Sequence, residues 1–260
     1  MKNMTLNQRI SLALVGGLIV GGALAWFILG PGDTRVTLTE VPADAAIYID
    51  NDLTAEGESG TVMLSDIGSG THTILVAASG YWPWAKTIVL ENGAQLNFAV
   101  LALPVEATVA DAAGLPTTDA SAATELRAKM TTVASKESPL LYDDEDVALW
   151  IEDGTIVASW RARRSDMPAY FCTPECRPRR VVFESDVPVR SLSFFGDRND
   201  ILLFAANNGI FALELDGRGT QNFQPLYLGT APIFSLSEDL THVTVYDTDP
   251  KRSGFFSLEL

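Results

Sequence analysis

Two cysteines, two histidines and one cluster of arginines carry most of the chemistry this chain could perform. Cys172 and Cys176 stand four apart in Phe171-Cys-Thr-Pro-Glu-Cys-Arg177. In an oxidising exterior that spacing most simply gives a disulfide stapling one loop. Zinc is the other use of such a pair, but it needs two more ligands, and His72 and His242 are isolated in separate regions. The expectation is therefore a Cys172 to Cys176 disulfide and no metal site. Arg161, Arg163, Arg164, Arg177, Arg179 and Arg180 flank that loop on both sides. Guanidinium groups at this density suit phosphate or carboxylate ligands, which they grip bidentately. The competing expectation is internal neutralisation by Asp143, Asp144, Glu145 and Asp146.

No spacing assembles a nucleophile with a base, and no Gly-rich phosphate loop precedes a helix. Asp50-Asn51-Asp52 opens like a calcium loop, but Ala55 and Thr61 stand where that loop needs Gly and Glu, so turn chemistry explains it better. No catalytic residue and no cofactor is expected. The catalytic alternative is a hydrolase using acids such as Asp197, Asp200 or Asp216, although their spacing selects no working pair. Tyr81, Trp82 and Trp84 surround Pro83. Exposed, these rings would stack on sugars or a partner; buried, they would plug one end of a sheet. Trp82 and Trp84 therefore join the six arginines as candidate ligand-binding residues.

The elements that must position these groups begin with Ile10 to Leu29, twenty residues without a charge. As a helix they span about 30 Å of hydrocarbon. Lys2 and Arg9 precede the stretch, and Asp33 and Arg35 are the first charges after it, which favours a cytoplasmic N-terminus and an exported remainder. A cleaved signal peptide is the rival, with Ala23-Leu24-Ala25 as its site, but cleavage would leave Trp26-Phe27-Ile28-Leu29 exposed at a mature terminus. Ala13, Gly17, Gly21 and Ala25 share one face of such a helix and would let two copies pair. The net charge of −15 over 260 residues suits a solvated outward module and argues against nucleic acid as partner.

Residues 33–103 read as short strands: Val36 to Thr39, Ala46 to Asp50, Gly60 to Leu64, His72 to Ala77, Lys86 to Leu90 and Gln95 to Val100, broken by Pro42 and several glycines. Val41-Pro42-Ala43-Asp44-Ala45 leads into Ile47-Tyr48-Ile49-Asp50. Leu64, then Ile67-Gly68-Ser69-Gly70-Thr71-His72-Thr73-Ile74, then Ser79-Gly80-Tyr81 and Lys86-Thr87-Ile88-Val89-Leu90 follow. This succession resembles the PEGA domain, a small β-sandwich of bacterial and archaeal cell-envelope proteins, although the naming Pro-Glu-Gly-Ala stands here as Pro42-Ala43-Asp44-Ala45. The resemblance implies an accessory module at the cell surface, without known catalysis, and a buried Tyr81.

Residues 104–138 turn to Ala, Thr, Ser, Pro and Asp and read as a linker, helical in part between Ala120 and Ser135. Strand signals return over 139–260. Gly209-Ile-Phe-Ala-Leu-Glu-Leu215 and Gly254-Phe-Phe-Ser-Leu-Glu-Leu260 match, Gly154-Thr-Ile-Val-Ala-Ser-Trp160 is a looser copy, and each follows a partner strand. Three hairpins at a period near 45 resemble β-propeller blades, too few for a closed ring.

The fold class expected is thus mainly β: an N-terminal transmembrane helix over 10–29 behind a cytoplasmic 1–9, a small PEGA-like β-sandwich over 33–103, a linker over 104–138, and a partial β-propeller-like repeat domain over 139–260. The expected function is a single-pass, membrane-anchored cell-envelope protein acting as a non-catalytic binding or scaffolding module. Its expected partners are the membrane through 10–29, an envelope glycan or protein, and a second copy of itself. The alternative is an envelope hydrolase acting on glycan or peptide through acids of the repeat domain.

Overall fold

The structure, a computed structural model, describes residues 34–110, 120–131, 133–142, 146–172 and 175–260. Strand β1 (Arg35–Ile49) is the spine of the first sheet, with β2 (Asp52–Ser65), β3 (Gly70–Ala77), β4 (Trp84–Leu90) and β5 (Gln95–Ala99) around it. The order is β2-β1-β3-β4, and β5 lies parallel to β1. Pro42 does not end β1, which carries an irregularity on either side of it. The register against β2 shifts between Leu38 and Val41 and again before Ala45, and Glu40 and Asp44 take the left-handed φ of 57°, as bulges allow. Residues 35–39 pair with β5, whereas 46–49 pair with β3. The hairpin to β2 turns through Asp50 and Asn51, both with positive φ, as a two-residue turn of this type requires.

Three antiparallel four-stranded sheets follow. The first is β7 (Leu140–Leu141), β8 (Val147–Glu152), β9 (Thr155–Trp160) and β10 (Arg179–Glu184). The second is β11 (Ser191–Phe195), β12 (Arg198–Ala206), β13 (Gly209–Glu214) and β14 (Phe223–Leu228). The third is β15 (Ile233–Leu236), β16 (His242–Asp249) and β17 (Arg252–Glu259), completed by β6 (Val109–Ala110) from much earlier in the chain. The repeated hairpins of the sequence are the central pairs β8/β9, β12/β13 and β16/β17.

Burial on both faces explains why β12 is apolar without alternation. Ile201, Leu203 and Ala205 join one core, shared with β1 to β5 and with Val243 and Val245 of the third sheet. Leu202, Phe204 and Ala206 face the other, against Leu149, Ala158 and Trp160 of the first four-stranded sheet. The segment expected to be a linker is structural at its C-terminal end. Helix α1 (Ala120–Met130) lays Arg127 over the Tyr246 ring at 5.0 Å. It buries Met130 to 2% exposure, and the Met130 carbonyl accepts a hydrogen bond from Ser191 Oγ at 2.8 Å. Ala134 then packs on Ala148, Trp150 and Val157, and its carbonyl accepts from Ile151 N at 3.0 Å. The stretch therefore crosses from the third sheet, past the second, to the first.

The expected fold class is corrected on three points. Among the described residues no helix is long and apolar enough to cross a membrane, and the stretch 10–29 lies outside them. The PEGA-like region is one bent five-stranded sheet rather than a two-sheet sandwich, and its core continues into the C-terminal sheets. Among the described residues the strands form four sheets and none closes, so the repeats do not make a propeller. The reason is common to the last two points: one face of the first sheet supplies the apolar cover that further repeats would have given.

Candidate functional site

Alternation along β4 turns Trp84, Lys86, Ile88 and Leu90 inward. A lysine in that row needs a buried anion, and β13 supplies it. Lys86 Nζ lies 2.7 Å from Glu214 Oε2, with side-chain exposures of 1% and 2%. Trp84 Nε1 donates to Glu214 Oε1 at 2.5 Å, and both the backbone and the side-chain nitrogens of Asn222 donate to Oε2 at 3.1 Å. Buried charges persist only when partnered in this way. Asn222 also holds both backbone groups of Ala85, while Gln224 accepts from Leu103 N and donates to the carbonyls of Leu101 and Pro83. Side-chain amides thus stand in for a neighbouring strand along an open sheet edge. Gly219 permits the approach: at φ +68°, an added Cβ would fall 2.1 Å from the Thr87 carbonyl oxygen.

Beside this joint lies a cleft of about 400 Å³ between β1, β5 and the second four-stranded sheet. Its frame is two arginine–aspartate pairs at matching two-residue spacing. Arg198 grips Asp200 at 2.9 and 2.7 Å and donates its remaining N–H groups to Glu40, Val100 and Ala99. Burial, the largest single influence, works against its charge, but Asp200, Glu40 and Glu214 outweigh it and hold its pKa above the ordinary value. Arg218 grips Asp216, lies 4.4 Å over the Phe98 ring, and donates to Asn97 O at 2.7 Å. Tyr170 donates to Asn199 Oδ1 at 3.2 Å. Its phenol is pushed up by burial first and then by the charges of Asp200 and Asp216. The three acids of the hydrolase alternative, Asp197, Asp200 and Asp216, all line this cleft.

The arginine loop leaves β9 at Trp160 and returns at Arg179. Short 3-10 turns at Arg164–Asp166 and Ala169–Phe171 fold it down, with Phe171 buried against Trp160. Cys172 and Cys176 are bonded at its tip. Trp160 Nε1 donates to Arg163 O at 2.9 Å, and Arg164 donates to Cys176 O at 3.2 Å. The six arginines do not form one patch. Arg180 turns inward to the Tyr170 carbonyl, against Gly217, where a Cβ would lie 2.3 Å from its Nη2. Burial lowers its pKa and Asp216 opposes the shift. Arg179 is taken by Glu152 and lies 5.9 Å over Trp150; that contact, ahead of the Trp150 N–H, holds the Glu152 carboxyl below its usual range. Arg177 meets its neighbour Glu175 at 3.1 Å. The Arg161 and Arg163 side chains are exposed, with no hydrogen-bond or ion-pair partner among the described residues. Of the acids expected to neutralise them, 143–145 lie outside the described residues, and Asp146 offers its backbone carbonyl to Arg161 N.

The aromatic expectations change as well. Trp84 is 1% exposed and bonded to Glu214, so it presents no face to a ligand. Trp82 is half-buried, with its indole N–H inside and unpartnered. Tyr81, expected inside, is 39% exposed. His72 bridges Asp50 and the Gly68 carbonyl, and His242 meets Thr241. Among the described residues no cluster of His, Cys, Asp and Glu suits a metal.

The PEGA domain family model matches residues 34–102, which hold the bent sheet of β1 to β5. No curated protein matches the chain. Among solved structures, a protein of unknown function from Bacteroides fragilis NCTC 9343, described as a candidate membrane-associated protein, aligns with 76% of this chain and 100% of its own. Identity is 13% and the TM-score 0.21, too low to define a shared fold.

Proposed function

We propose that this chain is a non-catalytic binding or scaffolding module of the cell envelope, attached to the membrane through residues 10–29, with the region after them outside the cytoplasm. The observation that carries the binding role is the pair of exposed guanidinium groups at Arg161 and Arg163, held on a stapled loop without carboxylate partners among the described residues. Arginines on an ordered loop lose less freedom on binding than mobile ones, so this edge suits an anionic polymer. The hydrolase alternative has one observation in its favour, the three acids in one cleft. Against it, Asp200 and Asp216 each give both oxygens to an arginine and Glu40 gives one to Arg198, which leaves Asp197 as the one carboxylate of the lining without an arginine partner among the described residues, where glycosidic cleavage ordinarily uses two carboxyl groups.

The test is retention of the full-length protein on an acidic polysaccharide at low and moderate salt, beside Arg161→Ser/Arg163→Ser. Weaker, salt-sensitive retention of the variant supports the reading. Equal retention by both, or release of shortened saccharides or peptides from a hydrolase panel, would overturn it.

A further inference from the structure

The cleft at the joint has chemistry that the arginine loop lacks. Its walls are fixed by the Arg198–Asp200 and Arg218–Asp216 pairs, so its shape does not depend on a ligand. Several polar groups that line it remain unused within the described residues: the Nη1 end of Arg218, the Nδ2 of Asn199, the side-chain amide of Asn97 and the carboxylate of Asp197. That set both donates and accepts, through planar groups that grip two atoms at once. A phosphate would meet Glu40, Asp197, Asp200 and Asp216, and a cation would meet the guanidinium groups of Arg198 and Arg218. A group presenting adjacent hydroxyls satisfies donors and acceptors together. Tyr142 and Asp197 also line a second cleft, of about 520 Å³, where Leu140, Phe194 and Leu236 offer apolar surface. The two clefts therefore meet at Tyr142 and Asp197 as two parts of one groove, the second adding its apolar surface to the polar Ser193 and Glu238, and each is within the size range of small-molecule sites.

We infer that this groove is a binding site for a neutral saccharide, with one sugar residue seated between Asp197, Asn199, Asn97 and Arg218 and the chain continuing past Tyr142. Hydroxyl pairs bridge guanidinium, amide and carboxylate edges, and the C–H faces of the sugar meet the tyrosine and leucine surface. The site rests on the binding-module reading but not on its arginine loop. Because the recognition is by neutral hydrogen bonds, salt leaves it unchanged, whereas a guanidinium–polyanion contact is screened.

Calorimetric titration of the full-length protein with maltohexaose, cellohexaose, mannohexaose and chitohexaose tests the proposal. At least one hexasaccharide is expected to bind saturably and equally at about 50 and about 500 mM salt. Asp197→Ala/Asn199→Ala is expected to weaken it at least about tenfold, as loss of two hydrogen bonds implies. Asn97→Ala, an exposed change on β5, serves as a second variant and is expected to bind several-fold more weakly. Arg161→Ser/Arg163→Ser should bind like wild type, which separates this site from the loop. Absence of binding by all four sugars, or unchanged affinity in both cleft variants, would overturn the proposal while leaving the polyanion experiment to decide the loop.

Discussion

Asp247 shows how one residue of this chain is fitted. It is fully buried, and its oxygens accept from Ala231 N at 2.9 Å, Thr230 N at 3.0 Å, Thr248 N at 2.7 Å and the Tyr227 hydroxyl at 3.0 Å. Burial is the largest influence and raises its pKa, but the three backbone N–H groups and the tyrosine together hold the carboxyl below its usual range. A folded-state value below the unfolded one contributes stability that is present above the ordinary aspartate pKa and lost as pH falls through the folded value. Asp247→Asn is therefore expected to cost about 2 kcal/mol at neutral pH and to flatten the fall in urea midpoint that wild type shows below about pH 4. Parallel urea midpoints across that range would mean the carboxylate charge contributes nothing. Lys86 and Glu214 make a sharper case. Lys86→Met strands a buried carboxylate and should cost about 3–5 kcal/mol, whereas Lys86→Met/Glu214→Gln should recover much of it. The measurement is a double-mutant cycle by chemical denaturation, and additive losses would show the pair to be uncoupled.

At the scale of elements, the turn between β13 and β14 docks on β4 through Asn222, Thr220 and Gly219. Gly219→Ala has no room and the wrong φ preference. Limited proteolysis should cut the 215–222 stretch faster in this variant, and an unchanged digestion pattern would show that the turn adapts. Helix α1 is held by its last turn, since its remaining apolar face is thin and Met130 is its buried residue. Met130→Ala should cost about 2–4 kcal/mol, read as faster amide hydrogen exchange in α1 and in residues 133–136; exchange confined to the helix would show that the packing of α1 and that of Ala134 are independent.

For the molecule as a whole, one core runs from β1 to β5 into the second and third four-stranded sheets. Such continuity gives cooperative unfolding. Calorimetry of the full-length protein should show residues 34–260 melting in one transition, and two well-separated transitions would return the PEGA-like sheet to the status of an independent domain. If residues 10–29 attach the chain to the membrane with the rest outside the cytoplasm, protease added to intact cells will cut the region after them. Survival until the cells are opened would reverse the orientation.

Local chemistry made much of this legible in the chain. β-Branched runs and turn residues marked the strands, repeated Gly-to-Leu stretches marked the hairpins, and the spaced Val41 to Leu90 elements marked the PEGA resemblance. Two signals were visible and unread: a lysine among inward positions of β4, and Glu214 ending an apolar strand. Each announces a buried partner, but not which one, because Lys86 and Glu214 are separated by more than a hundred residues of chain. Only the tertiary structure decided that the three cleft acids meet, that two of them are taken by arginines, that Trp84 is inside while Tyr81 is outside, and that few repeats suffice. Those outcomes depend on which face packs against which. Strand formation is set by neighbours along the chain, whereas the pairing of sheet faces is set by the total apolar area and buried charge that the whole fold must satisfy at once.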